Sequence, residues 1–294
     1  MSAAAMRKPF IEKGALTKQA MQASIKARSR AGADLISPIC IFDLCEKLGV
    51  TVRFTDINME GMYARSATPR IHLSSMRPLP RRVFTCGHEL GHHEFGHGST
   101  IDEMKDEADA LESENPDEFL VNAFSAFTLM PIIGLRGAFA RRKLPMSAAD
   151  DVSMFAIACN FGVGYATLVS HLAYGVNEIT RDRARQLLKS TPKSIKRKLL
   201  GADMPAPLVL ADRHWAARAI DVEVNTTLLL PAAAKVEGGV LQPDGSCSSG
   251  DLFKAVRPGI GRVDLADGNV QFVRVAPENY VGLARYRHLE DDDV

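Results

Sequence analysis

The chain has 294 residues, of which 46% are hydrophobic and 24% charged, with a formal net charge of +1. Such values are ordinary for a globular protein and exclude a low-complexity or collagen-like chain, while the near-neutral balance points to no class of partner. The length suits two or three compact units. No apolar run is expected to span a membrane, and residues 1–14 lack the apolar centre of a secretory signal. The five cysteines, at positions 40, 45, 86, 159 and 247, are odd in number and scattered. That spacing suits a reducing cytoplasm better than a disulfide framework.

In chain order, residues 36–48 read as a helix closed by Gly49. Residues 50–54 alternate as a strand does. Residues 61–65 and 70–73 flank a Ser-Ala-Thr-Pro turn and read as a hairpin. Tyr63, Arg65 and His72 on this hairpin are candidates for polarising a substrate carbonyl, and none is assigned that role. A strand edge at this place would let an extended peptide add by backbone pairing.

The most informative stretch follows. His88-Glu89-Leu90-Gly91-His92 is an H-E-x-x-H pattern, the usual signature of a zinc-dependent hydrolase. On a helix the two imidazoles stand one turn apart on one face and reach a single ion, with Glu89 beside them to act on water. A second copy, His93-Glu94-Phe95-Gly96-His97, overlaps it. Five residues on, its face is turned by about 140°, so only one pair faces the interior. Gly96 and Gly98 signal the helix end, which leaves His93 and His97 as helix-end residues rather than ligands. Cys86 reads as a small buried hydrophobe.

Residues 102–118 carry nine carboxylates, at 102, 103, 106, 107, 109, 112, 114, 117 and 118, read mostly as a solvated face. Pro116 and Asp117 then start an apolar helix that Pro131 stops. Glu118 and Asn122 share a face in its first two turns. They read either as a ligand and its supporting amide or as a favourable acid at a helix N-terminus.

His88-Glu-Leu-Gly-His92, followed by Glu118-x-x-x-Asn122-x-Phe124-x-Ala126-x-x-Leu129-Met130-Pro131, resembles the ImmA/IrrE family of metallopeptidases. The resemblance covers roughly residues 20–180. It departs from the family's pattern at Val121, Ser125 and Thr128, which are packing positions. It implies that His88, His92 and Glu118 ligate Zn2+, that Glu89 is the general base, and that Asn122 supports the site.

Beyond Pro131, Ser147 reads as the N-cap of a helix running to Ile157. Residues 161–164 read as a turn and 165–173 as a second helix, a helix-turn-helix outline. Residues 181–198 then carry eight Lys/Arg and one Asp. DNA contact is the less favoured reading, because the second helix begins with Ala166 and Thr167 and offers no evident set of base-reading side chains.

Residues 205–294 read as mostly β. A short helix is expected at 212–218 around Trp215, strands at 222–224 and 228–230, and a hairpin over 260–275 turning at Asp267-Gly268. Glu290–Asp293 reads as an acidic tail. His214 and His288 read as isolated residues without a site role.

The expected fold is α+β. A mainly helical, zincin-like metallopeptidase domain with a small β-sheet spans 1–135. A helix-turn-helix-like segment with a basic linker spans 136–204, and a β-rich module of unknown role spans 205–294. The expected function is a cytoplasmic zinc endopeptidase acting on one specific protein. The resemblance implies a helix-turn-helix transcriptional repressor of a phage, mobile element or stress response as substrate. The alternative is a DNA- or partner-binding regulator whose metal site is not catalytic. No membrane partner is expected.

Overall fold

A computed structural model describes residues 13–102, 115–215 and 218–289. The expected acidic stretch at 103–114 and the acidic tail lie outside these residues. The fold is α+β.

Residues 13–30, for which the sequence suggested no element, form α1 (Lys13–Arg30). This helix is rich in Ala, Lys and Gln, all strong helix formers. Its last turn buries Arg28, whose guanidinium donates to the carbonyl oxygens of Asp34, Thr128 and Ser37 at 2.7, 2.7 and 2.6 Å. Burial holds this guanidinium down at about 10. The next helix, α2 (Ile41–Lys47), starts later than expected. The Asp34 carboxylate accepts from the Ile36 and Ser37 amides and folds 34–37 into a turn, and Pro38 keeps the preceding residue out of the helical region. Gly49 closes the helix in the left-handed conformation, φ +78°.

Strands β1 (Thr51–Thr55), β2 (Gly61–Ala64) and β3 (Arg70–Ser74) follow. The hairpin forms as expected, with Gly61 opposite Leu73. Then come α3 (Leu79–Glu94), β4 (Thr100–Asp102) and α4 (Pro116–Leu129). The sheet order is β13-β1-β3-β2-β4, where β13 is Gly282–Leu283 from near the far end of the chain. It pairs antiparallel with Arg53 and Phe54 of β1.

After α5 (Ile132–Arg141), the helix expected from Ser147 instead begins at Asp151. In α6 (Asp151–Phe161) it is the Asp150 carboxylate, not Ser147, that accepts from the Ser153 amide. Gly162, φ +70°, turns the chain into α7 (Tyr165–Ser170), which continues as a π-helical turn over His171–Gly175. The bend between the two helices is 101°. In α7, Tyr165, Thr167, Leu168, Val169 and Ser170 are all buried, so this helix is spent on packing. The basic stretch forms α8 (Arg181–Leu187) and α9 (Pro192–Leu200). Several of its charges are engaged within the chain: Arg183 with Ala149 O, Lys198 with Asp151, Arg197 with Asp203, and Lys196 with the carbonyls of Met204 and Ala206.

The expectation that no run passes for a membrane span needs correction. Residues 116–141 are long and apolar enough by length and composition, but 83% of their most apolar 18-residue window is buried inside the protein. These residues form two core helices, broken at Pro131.

The C-terminal region holds β5 (Leu208–Leu210), β6 (Ile220–Glu223), β7 (Thr227–Leu230), β8 (Lys235–Glu237), β9 (Leu241–Cys247), β10 (Gly250–Ala255), β11 (Gly259–Asp264) and β12 (Val270–Ala276). They make two four-stranded sheets, β5-β7-β10-β9 and β6-β12-β11-β8. The expected hairpin over 260–275 is β11–β12. The short helix expected at 212–218 is absent from the described part of that stretch. There Asp212 Oδ1 accepts from the His214 amide and makes a turn.

Helices α3 and α4 lie unusually close. A methyl group on Gly91 would stand 2.9 Å from Val121 Cβ, and one on Gly87 would overlap the Ser125 hydroxyl. That hydroxyl donates to Phe84 O across the interface at 2.8 Å. We expect Gly87→Ala to lower stability, read as the urea midpoint. The overpacking costs about 1–3 kcal/mol, against a gain of only about 1 kcal/mol from the helix preference for alanine. In a Ser125→Ala background the loss should shrink, because only a methyl carbon then remains opposite.

Candidate metal centre

Helix α3 follows Pro78 at its N-cap and carries Pro80 in its first turn, and Val83, Phe84, Cys86 and Leu90 are among its buried apolar residues. The helix is buried all round from Arg82 to His92, so His88, Glu89 and His92 are buried as well. Helix α4 begins with the Asn115 side chain accepting from the Asp117 amide. This cap sets Glu118 in the first turn and Asn122 one turn on. The glycine contacts between the helices then bring the two pairs of residues together.

The distances fit one small ion. His88 Nε2 and His92 Nε2 are 3.2 Å apart. Glu118 places one carboxylate oxygen 3.6 Å from His88 Nε2 and the other 3.8 Å from His92 Nε2. Donors about 2.0–2.1 Å from a common tetrahedral centre stand roughly 3.3 Å from one another, close to what is seen. Among the described residues, His88, His92 and Glu118 form a group able to hold a metal ion. Two imidazole nitrogens and a carboxylate suit a borderline cation such as Zn2+.

The donor set also has the right protonation. Asn122 Oδ1 lies 2.7 Å from His88 Nδ1. An amide oxygen only accepts, so Nδ1 carries the proton and Nε2 presents its lone pair to the centre.

His97 has a place that the sequence did not suggest. The helix ends in a Schellman turn, with the His97 amide donating to His92 O at 3.0 Å and the Gly96 amide to His93 O at 3.2 Å. Gly96 takes the left-handed conformation, φ +71°. The turn folds the chain back and sets His97 Nδ1 2.8 Å from His92 Nδ1. On the far side of the ring, His97 Nε2 is 3.9 Å from Asp117 Oδ1. His97 thus stands behind His92 much as Asn122 stands behind His88. The available signal was the glycine itself, because a Schellman cap returns the following residue toward the last turn.

His93 is turned away, as expected. Its Nδ1 lies 2.9 Å from the Tyr63 hydroxyl, and burial pushes its pKa down. Of the other carbonyl-polarising candidates, Arg65 donates to Gly96 O at 3.1 Å and His72 lies on β3 opposite Met62. Cys86 packs against Cys45, sulfur to sulfur 3.6 Å, and burial raises its pKa well above the usual thiol value.

Glu89 lies against β2. A methyl group on Gly61 would be 2.6 Å from Glu89 Oε1 and 2.6 Å from Thr85 Cγ2, so only glycine lets the strand pass this close to the carboxylate. Strand β2 therefore packs directly on the Glu89 side chain, on the helix that also carries the two imidazoles.

Residues 45–172 match the family described as Peptidase_M78, IrrE N-terminal-like domain. The matched residues include both motifs, and the matched family is the one that those motifs resemble. A solved structure titled "Mycobacterium tuberculosis transcriptional regulator" is similar at 14% identity and a TM-score of 0.35, over 56% of this chain and 52% of that one. The chain thus spans about half the length of that structure. None of the curated proteins matches.

We expect about one metal ion per chain, lost in His88→Ala and kept in His93→Ala, by elemental analysis. His97→Ala and Asn122→Ala should each weaken binding by roughly 10–100-fold, in competition with a chromogenic chelator. Unchanged affinity in His97→Ala would show that its ring contact with His92 is incidental.

Proposed function

We propose that this chain is a zinc-dependent endopeptidase. The reading rests chiefly on one observation: a fully buried Glu89 directly follows His88, on the helix that supplies two members of the His88–His92–Glu118 donor set. Buried carboxylates are costly, and a purely structural ion has no use for an acid in this place.

Zn2+ held by His88, His92 and Glu118 would polarise a peptide carbonyl and acidify an attacking water. The rest falls to the chain's own residues. Asn122 and His97 hold the two imidazoles in register. Glu89 takes a proton from the attacking water as its oxygen bonds to the carbonyl carbon. It then delivers that proton to the amide nitrogen as the C–N bond breaks. Gly61 leaves room for Glu89 beside β2.

The substrate we propose is a single protein, a helix-turn-helix transcriptional repressor, cut to relieve repression in a cytoplasm where the five cysteines stay as free thiols. The match to the IrrE N-terminal-like domain and the retained His-Glu-His-Glu set support this reading.

Glu89→Gln separates catalysis from binding. We expect it to retain its metal while cleavage of co-expressed candidate repressors, read as fragments by mass spectrometry, falls by about 10²–10⁴-fold. A Glu89→Gln protein that relieves repression as well as the wild type would favour a binding-only regulator.

A further inference from the structure

A cavity of about 770 Å³ lies where three parts of the chain meet: the first turns of α3, the corner between α6 and α7, and strands β5 and β6. Its wall is mostly apolar, with Phe42, Val83, Phe155, Val163, Leu208 and Trp215 among the lining side chains. None of the residues of the metal centre lines it. The space is partly open to solvent, a deep cleft rather than a sealed void. A space this large and this apolar is poorly suited to ordered water, which needs two to four polar partners per molecule.

The charged groups on the wall are already compensated. Arg81 pairs with Glu60 at 2.8 Å and Glu223 with Arg82 at 2.5 Å. Asp221 is held by Arg274 at 2.7 Å. Arg218 lies 3.9 Å from Asp221 Oδ2 and donates to Ile39 O at 3.2 Å. No unbalanced charge calls for an ionic group in the occupant, and a buried ion without a partner would be strongly disfavoured.

We propose that this cavity binds a neutral, largely hydrocarbon molecule, of the size taken by small-molecule sites of roughly 300–1,000 Å³. Phe42, Phe155 and Trp215 are its apolar anchors. Part of the wall, Leu79 to Val83, belongs to the helix that carries His88 and His92. The nearest of these wall residues, Val83, stands about 7–8 Å along the helix axis from His88, so the site is separate from the metal centre.

Trp215 is the only tryptophan in the chain, so energy transfer from it reports occupancy at this place. The probes are N-phenyl-1-naphthylamine, which is neutral, and 1-anilinonaphthalene-8-sulfonate, which carries the same rings and a negative charge. With the full-length protein we expect saturable transfer to the neutral probe, one per chain, at least about ten-fold tighter than to the sulfonate. Ala166→Phe and Val209→Phe, on different walls, each add a ring to the space. Each should weaken the neutral probe by about ten-fold or more, with a cooperative melting curve showing that the variant is folded. The proposal is overturned by absence of saturable transfer in the wild type, by equal affinity for the two probes, or by undiminished binding in a folded filled variant.

Discussion

The contact on which the rest of the site depends is the close approach of α3 and α4. Two glycines on α3, one turn apart, face Ser125 and Val121 of α4 with no room for a methyl group. Side chains at both positions would push the helices apart, and Glu118 would then move out of reach of His88 and His92. The same approach lets Asn122 touch His88 Nδ1. One packing constraint thus decides whether three donors and their supporting amide form a site at all. It also explains the departures from the family's pattern at Val121 and Ser125, which cap the two glycines rather than disturb the interface.

A second constraint acts within α3. The Schellman turn that satisfies the last carbonyls of the helix also returns His97 to the ring of His92. Backbone capping and orientation of the imidazole are one event. His92 and His88 are therefore each braced from behind by a different kind of partner. One is an amide on the neighbouring helix, the other a histidine brought back by the helix end. Strand β2 packs on Glu89 through the bare backbone of Gly61.

The C-terminal region is tied into the first in two ways. Strand β13 completes the edge of the first sheet beside β1. Asp221 of β6 receives Arg274 of β12, whose guanidinium also reaches Asp43 of α2 at 2.8 Å. Burial acts to raise the Asp221 pKa, and His288 with the surrounding arginines outweighs it, holding the carboxyl well below its usual range. The aspartate is therefore charged in the fold and links the two regions through arginine. The 770 Å³ cavity lies at this junction, bounded by all three parts of the chain.

Much of the site was legible because its signals are local. The four-residue spacing puts His88 and His92 on one helix face, and the Pro-Asp-Glu start with its Pro131 stop places Glu118 and Asn122 on adjacent turns. The hairpin and the β11–β12 turn were equally local, set by alternation and by Asp-Gly. Where local signals competed, the reading slipped by a few residues: Pro38 and the Asp34 turn delayed α2, and Asp150 outcompeted Ser147 as the cap of α6. Helix α1 carried no apolar periodicity to announce it, because its burial is paid through small alanines and one internal arginine. By itself, then, the sequence singled out His88 and His92 as candidate metal donors, since donor chemistry and helical spacing are properties of a short stretch. Only the tertiary structure decided that Glu118 meets the histidines, that His97 braces His92, that β13 returns to β1, and that a cavity remains between the parts. Each of these depends on distances between segments far apart in the chain, which packing sets and spacing cannot.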